Sequence, residues 1–179
     1  MDGLRISTRS IEPTGKPLLH VAALLLLILL LAAHASQSLA TEPGMIQSLA
    51  SGKCLDLEGG ATADGPVVIQ YECHAGPNQQ WSVEATAGAG YRIVSRLSGK
   101  CIGIDRSGSD ISAPVLQSAC GTGASEQLWS LKSERGGYVI RAIASGRCLD
   151  VPGGSSINGA RLVAWKCNGG ENQVWRLHH

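Results

Sequence analysis

Phenylalanine is absent from the 179-residue sequence, and aromatic residues of all kinds make up only 4% of it. A domain with so few large rings gains more than most from covalent ties between its parts. Charge of either sign is also scarce. Three of the 15 Lys/Arg and two of the 14 Asp/Glu fall in the first 40 residues, which leaves 12 of each in the remainder. No basic patch or run survives there, which argues against nucleic acid or an anionic membrane surface as partner. The cysteines contain no C-x2-C pair, so a cysteine-based zinc site is not expected and no metal or cofactor is implied. Beyond the first 40 residues no window keeps a helical period.

A long apolar run is missing too. The longest, Val21 to Ala33, has 13 residues, short of the roughly 20 that a membrane-spanning helix needs. Arg5, Arg9 and Lys16 precede it, against Asp2 and Glu12, and two small-x-small signals follow, Ala33-His34-Ala35 and Ser38-Leu39-Ala40. Residues 1–40 therefore read as a signal peptide cut near 35 or 40, with an uncleaved anchor as the alternative. The expected product is secreted, extracellular and free of the membrane after cleavage.

What the chain does have is repetition. Its six cysteines all follow the leader, and the gaps Cys54 to Cys73, Cys101 to Cys120 and Cys148 to Cys167 are each 19 residues. Equivalent cysteines step by 47. An even count in an exported chain reads as a disulfide framework. Six cysteines allow 15 pairings, and the threefold repeat favours the set that closes each repeat on itself: Cys54–Cys73, Cys101–Cys120 and Cys148–Cys167. Each such loop would stabilise the fold by roughly 3 kcal/mol in the chain-entropy model.

Laid side by side, the copies run from about 46 to 85, 91 to 133 and 138 to 179. Each opens on a short alternating stretch, then reaches Ser-Gly-Lys/Arg-Cys at Ser51, Ser98 and Ser145. A Gly-rich turn follows, closing on Asp64-Gly65 and Asn158-Gly159 in the outer copies, both strong hairpin signals. A strand leads to the second cysteine, and a Gln-x-Trp triplet ends the unit at Trp81, Trp129 and Trp175. Four strands per repeat predict an all-β protein of twelve strands. Alternation places each Gln and Trp of a triplet on one face of a strand. The three tryptophans are expected in the core, with Tyr91 and Tyr138 as packing residues.

Three Gln-x-Trp triplets, each ending a Cys-Leu-Asp-type repeat, resemble the ricin B-type lectin family, which includes family 13 carbohydrate-binding modules. The likeness spans essentially the whole chain after the leader. It implies a β-trefoil that binds glycans in shallow pockets, up to one per repeat, with no catalytic module. A pyranose pocket needs a carboxylate to accept hydroxyl hydrogen bonds, a ring to stack on a C–H face, and an amide for the remaining hydroxyls. In the first repeat these are Asp56, Tyr71 and Asn78, with His74 at the rim. In the third they are Asp150, Trp165 and Asn172, with Asn168 in the place of His74. Aspartate and ring stand 15 residues apart in both. The resemblance further implies that Gln79 and Gln173 hold the carboxylates in place.

The second repeat carries Gly103, Ser118 and Glu126 at the three pocket positions, and one extra residue between Cys120 and Trp129. It reads as structural, with Asp105 as a replacement carboxylate the less favoured alternative. Plant toxin lectins tend to carry a Gln two residues before the ring, where this chain has Ile69 and Val163, so galactose-type and xylose-type ligands both stay open. The expected function is that of a secreted lectin module binding glycans or polysaccharides at two sites. A trefoil adaptor or toxin-delivery subunit working through a protein partner is the alternative.

Overall fold

The computed structural model describes residues 42–88, 90–105, 111–121 and 124–178; the leader assigned to residues 1–40 lies outside them. The first repeat contributes β1 (Met45–Ser48), β2 (Cys54–Leu57), β3 (Val68–Tyr71) and β4 (Trp81–Ala85). The second contributes β5 (Tyr91–Ser95), β6 (Cys101–Ile104), β7 (Ser112–Ser118) and β8 (Trp129–Glu134). The third contributes β9 (Gly137–Ala142), β10 (Cys148–Asp150), β11 (Ala160–Arg161), β12 (Val163–Trp165) and β13 (Val174–His178). The described residues thus form thirteen strands rather than twelve. The extra one arises because the third strand of the last repeat breaks at Leu162, whose N–H leaves the local ladder to donate to Val68 O at 2.9 Å.

Six strands, the outer two of each repeat, run as a closed antiparallel ring. β1 pairs β13, β13 pairs β9, β9 pairs β8, β8 pairs β5 and β5 pairs β4. A bridge between Gly44 and Trp81 closes it, with N–O distances of 3.0 and 2.8 Å. Closure removes the open edges that would otherwise invite pairing between molecules. The inner strands form three hairpins, β2 with β3, β6 with β7 and β10 with β12, which pack on one end of the ring. This arrangement is a β-trefoil.

The core sits where ring and hairpins meet. Trp81, Trp129 and Trp175 are each at most 2% exposed. Removing roughly 200 Å² per indole from water at ~25 cal/mol/Å² is worth on the order of 5 kcal/mol apiece. Each indole N–H also has an acceptor, because an unpaired one would be costly in so dry a place. Trp81 donates to Leu55 O at 3.0 Å, Trp129 to Ile102 O at 3.1 Å and Trp175 to Leu149 O at 3.0 Å. The acceptors are the residues that follow the first cysteine of each repeat, so the triplet pins the hairpin from below. The disulfides Cys54–Cys73, Cys101–Cys120 and Cys148–Cys167 tie the same hairpins across their open ends.

Two packing expectations are corrected. Tyr91 and Tyr138 are about as exposed as Tyr71, at 38% and 37%. They share the side of β5 and β9 that carries Ile93 and Ile140 inward, but they stand at the strand starts, beyond the layer the tryptophans fill. The Gln-x-Trp triplets are not strands throughout. Gln79, Gln127 and Gln173 each end a short 3-10 turn, Pro77–Gln79, Ser125–Gln127 and Glu171–Gln173, and the strands begin only after them, at Trp81, Trp129 and Val174.

Candidate functional site

The hairpin register brings aspartate and ring together. Asp56 pairs with Ile69 and Cys54 with Tyr71; Asp150 pairs with Val163 and Cys148 with Trp165. Because side chains two apart share a face, Asp56, Ile69 and Tyr71 point to one side of the first hairpin. Asp150, Val163 and Trp165 do the same on the third. Both rings stay open to solvent, 41% exposed for Tyr71 and 36% for Trp165, whereas both aspartates are only 3% exposed.

A buried carboxylate needs donors, and the 3-10 turn supplies them. Gln79 accepts from the His74 N–H at 2.9 Å through Oε1, and its Nε2 donates to Glu72 O at 2.9 Å and to Asp56 Oδ2 at 2.8 Å. The two backbone contacts fix which way the amide faces, so its remaining hydrogen can only meet an acceptor. Gln173 repeats this with Asn168 N–H at 2.9 Å, Lys166 O at 3.0 Å and Asp150 Oδ2 at 2.7 Å. Asn78 adds a bond to Asp56 Oδ1 at 2.9 Å, and Asn172 one to Asp150 Oδ2 at 3.0 Å. Burial pushes both carboxyls above the usual aspartate range, and the amide donors pull back against it.

The two clusters differ at the rim. His74 accepts the Gly76 N–H through Nδ1 at 3.0 Å and turns Nε2 toward Asp56 Oδ2 at 3.5 Å, with its ring edge-on to Tyr71 at 6.2 Å between centroids. Asn168 accepts the Gly170 N–H at 2.8 Å through Oδ1. In the third repeat both donors meet Asp150 on Oδ2, and Oδ1 has no hydrogen-bond partner among the described residues. One acceptor oxygen there is left for whatever enters.

Each cluster opens into a depression. That of the first repeat, about 530 Å³, is lined by Asp56, Ile69, Tyr71, His74 and Asn78 together with Gly59 and Gly60. That of the third, about 450 Å³, is lined by Asp150, Val163, Trp165, Asn168 and Asn172 together with Gly153 and Gly154. The paired glycines take positive φ of 62° to 65°, which tolerates little else. They add backbone but no side chains to the lining of the two depressions. Every site residue expected from the sequence therefore lies in one of two clusters. Among the described residues no group of three His, Cys, Asp or Glu side chains is arranged to hold a metal ion.

Three kinds of contributor were missed: the glycine pairs, Ile69 and Val163 as floor, and two fully buried glutamines. Gln70 donates to Ser155 O at 2.7 Å and Ile157 O at 3.1 Å, in the loop that follows Gly154. Gln117 donates to Ala61 O at 2.6 Å and Ala63 O at 2.9 Å, in the loop that follows Gly60. Each also accepts a serine hydroxyl, from Ser51 at 2.7 Å and Ser98 at 2.8 Å. The wall of each pocket is thus held by a neighbouring repeat. The signal in the sequence was a Gln at matching places, one residue before Tyr71 and one before Ser118.

The second repeat has rebuilt the same spot without a carboxylate. Gln127 keeps the two backbone contacts, accepting from Gly121 N–H at 2.9 Å and donating to Ala119 O at 2.9 Å. Its last hydrogen goes to Ser118 Oγ at 2.8 Å. Ser118 occupies the ring position, so losing the ring and losing the aspartate are one structural change. A side chain at residue 103 would meet Gln127 Cγ at 2.9 Å and Glu126 O at 3.1 Å, which leaves no room for the missing aspartate. Asp105 follows β6 and gives its N–H to Pro114 O at 2.9 Å.

The sequence profile of the ricin-type beta-trefoil lectin domain matches residues 42–175, and the chain belongs to that family. Among solved structures it resembles a designed threefold-symmetric protein, ThreeFoil, at 36% identity over 76% of this chain and 98% of that one, with a TM-score of 0.72. The C-half of the earthworm R-type lectin, solved in complex with GalNAc, is 27% identical over 77% and 98%, with a TM-score of 0.59. An exo-beta-1,3-galactanase from Clostridium thermocellum is 25% identical with a TM-score of 0.72, over 76% of this chain and 30% of the enzyme.

Proposed function

We propose that the protein is a secreted, non-catalytic lectin with two glycan sites, one in the first repeat and one in the third, and a structural second repeat. The observation that carries this is the twofold recurrence of one constellation. A buried aspartate is locked by an orientation-fixed glutamine, flanked by an asparagine and faced by an exposed ring. Such a carboxylate accepts sugar hydroxyls while the ring takes a C–H face. Asp56, Tyr71, His74, Asn78 and Gln79 make the first site; Asp150, Trp165, Asn168, Asn172 and Gln173 make the second. The GalNAc bound by the earthworm relative and the substrate class of the galactanase put galactose-type units first among candidates, with xylose-type units next. Three disulfides suit export through an oxidising compartment, in line with residues 1–40 as a leader.

Single shallow sites bind weakly, and two on one domain raise avidity on a polymer without new contacts. A glycan array on the disulfide-bonded chain tests the class and the specificity together. On an immobilised glycan from that array, Asp56→Ala and Asp150→Ala each weaken binding and the double variant abolishes it. Retained binding by the double variant sinks the assignment of the sites.

A further inference from the structure

The two clusters hold their carboxylates by different hydrogen-bond schemes. In the first repeat the amide donors divide between the oxygens, Asn78 Nδ2 on Asp56 Oδ1 at 2.9 Å and Gln79 Nε2 on Oδ2 at 2.8 Å. In the third both crowd onto one oxygen, Asn172 Nδ2 at 3.0 Å and Gln173 Nε2 at 2.7 Å from Asp150 Oδ2. The asparagine hydrogens are spent differently too. Asn172 also donates to Val151 O at 3.1 Å, so neither of its hydrogens is left for a ligand. Asn78 spends one on Asp56, and the second meets no acceptor among the described residues.

The residue after the second cysteine separates the two schemes. His74 follows Cys73 and Asn168 follows Cys167. His74 Nε2 stands 3.5 Å from Asp56 Oδ2, the oxygen that Gln79 already uses. Oδ1 is then the place left for Asn78. Asn168 instead gives its Oδ1 to the Gly170 N–H at 2.8 Å, and among the described residues it makes no hydrogen bond to Asp150. Asn172 can therefore join Gln173 on Oδ2, where Val151 O takes its second hydrogen. The outcome is an Asp150 Oδ1 that faces the ligand without a donor from the chain. Asp150 lines its depression at only 3% exposure, and an ionised acceptor so buried gains much from a donor that reaches it.

We propose that residues 74 and 168 set the hydrogen-bond polarity of the two sites, so that the third requires a sugar hydroxyl that donates, to Asp150 Oδ1, while the first also takes one that accepts, from Asn78. The inference rests on the reading of both clusters as sugar sites, and the two are separable by experiment. Methyl galactoside, or methyl xyloside if only that binds, is titrated into the disulfide-bonded chain together with its set of monodeoxyfluoro analogues. A fluorine cannot donate, and a site built around a hydroxyl rejects the analogue that lacks it. The Tyr71 ring and the Trp165 indole N–H, followed by NMR, report an affinity for each site separately. For at least one ring position the fluoro analogue is expected to lose about tenfold to a hundredfold at Trp165, as a lost bond to a charged acceptor implies. The same analogue loses about threefold or less at Tyr71, where Asn78 already serves Asp56 Oδ1. His74→Asn gives the first site the third's residue and should raise the Tyr71 loss to the level seen at Trp165. Equal losses at the two rings for every analogue overturn the polarity difference while the sugar sites stand. A His74→Asn chain whose first site keeps its small loss, or binds no glycoside, overturns the role of residue 74. A ring that moves with neither parent glycoside overturns its cluster as a sugar site, and the inference with it.

Discussion

Gly103 and Ser118 should behave as a coupled pair, because together they replace an aspartate and a ring. Adding only a Cβ at residue 103 brings it to 2.9 Å from Gln127 Cγ and 3.1 Å from Glu126 O. Gln127 is held by three hydrogen bonds and cannot simply step aside. Gly103→Ala should therefore cost about 1–3 kcal/mol, the usual penalty for overpacking. Ser118→Ala removes the acceptor of one Gln127 hydrogen at a side chain only 3% exposed, again about 1–3 kcal/mol. For a domain of this size either change lowers Tm by roughly 3–12 °C. The triple variant Gly103→Asp, Ser118→Tyr, Glu126→Asn restores the residue types of the first repeat but not the space, since the turn before Trp129 stays one residue longer. It should be destabilised and gain no third site. Thermal unfolding and a sugar titration on the same preparations check this. A triple variant as stable as the parent that binds three equivalents would refute the account of the second repeat.

Two other outcomes follow from the geometry. Gln117→Ala leaves the carbonyls of Ala61 and Ala63 without their donor and Gln70→Ala those of Ser155 and Ile157; each should cost about 1–3 kcal/mol and weaken mainly the site whose wall it held, the first for Gln117 and the third for Gln70, as separate titrations of the Tyr71 and Trp165 resonances would report. Burial raises both site carboxyls, so the native state keeps their protons to higher pH than the unfolded chain does. Their contribution to stability is then fullest below the ordinary carboxylate pKa and falls as pH rises through the raised native values. The double variant Asp56→Asn, Asp150→Asn should lose that part of the pH slope and be no less stable than the parent at neutral pH, while binding sugar poorly; urea unfolding between pH 3 and 7 measures it.

Much of this was legible in the chain because the repeat supplied its own control. Cysteine spacing, the triplets and the Asp-to-ring interval recur locally, and the second repeat separates scaffold from pocket by keeping one set and losing the other. What was not legible depends on contacts between repeats. Gln70 sits in an otherwise apolar strand, and its partners Ser155 and Ile157 lie 85 and 87 residues away. Nothing nearby in sequence announces them. The role of Ser118 as the acceptor for Gln127 was hidden for a similar reason, since a lost ring and a gained hydroxyl look alike on paper. Tyr91 and Tyr138 were misjudged because alternation gives the face of a strand but not how far the core extends along it.

The central claim is the count of sites and their owners. Titration calorimetry with a soluble oligosaccharide chosen from the glycan array should find two equivalents bound by the parent, one by Asp56→Ala or Asp150→Ala with the surviving site unchanged, and none by the double variant, with near-UV circular dichroism showing all four folded. A single equivalent in the parent, or sugar still bound by the folded double variant, would contradict it.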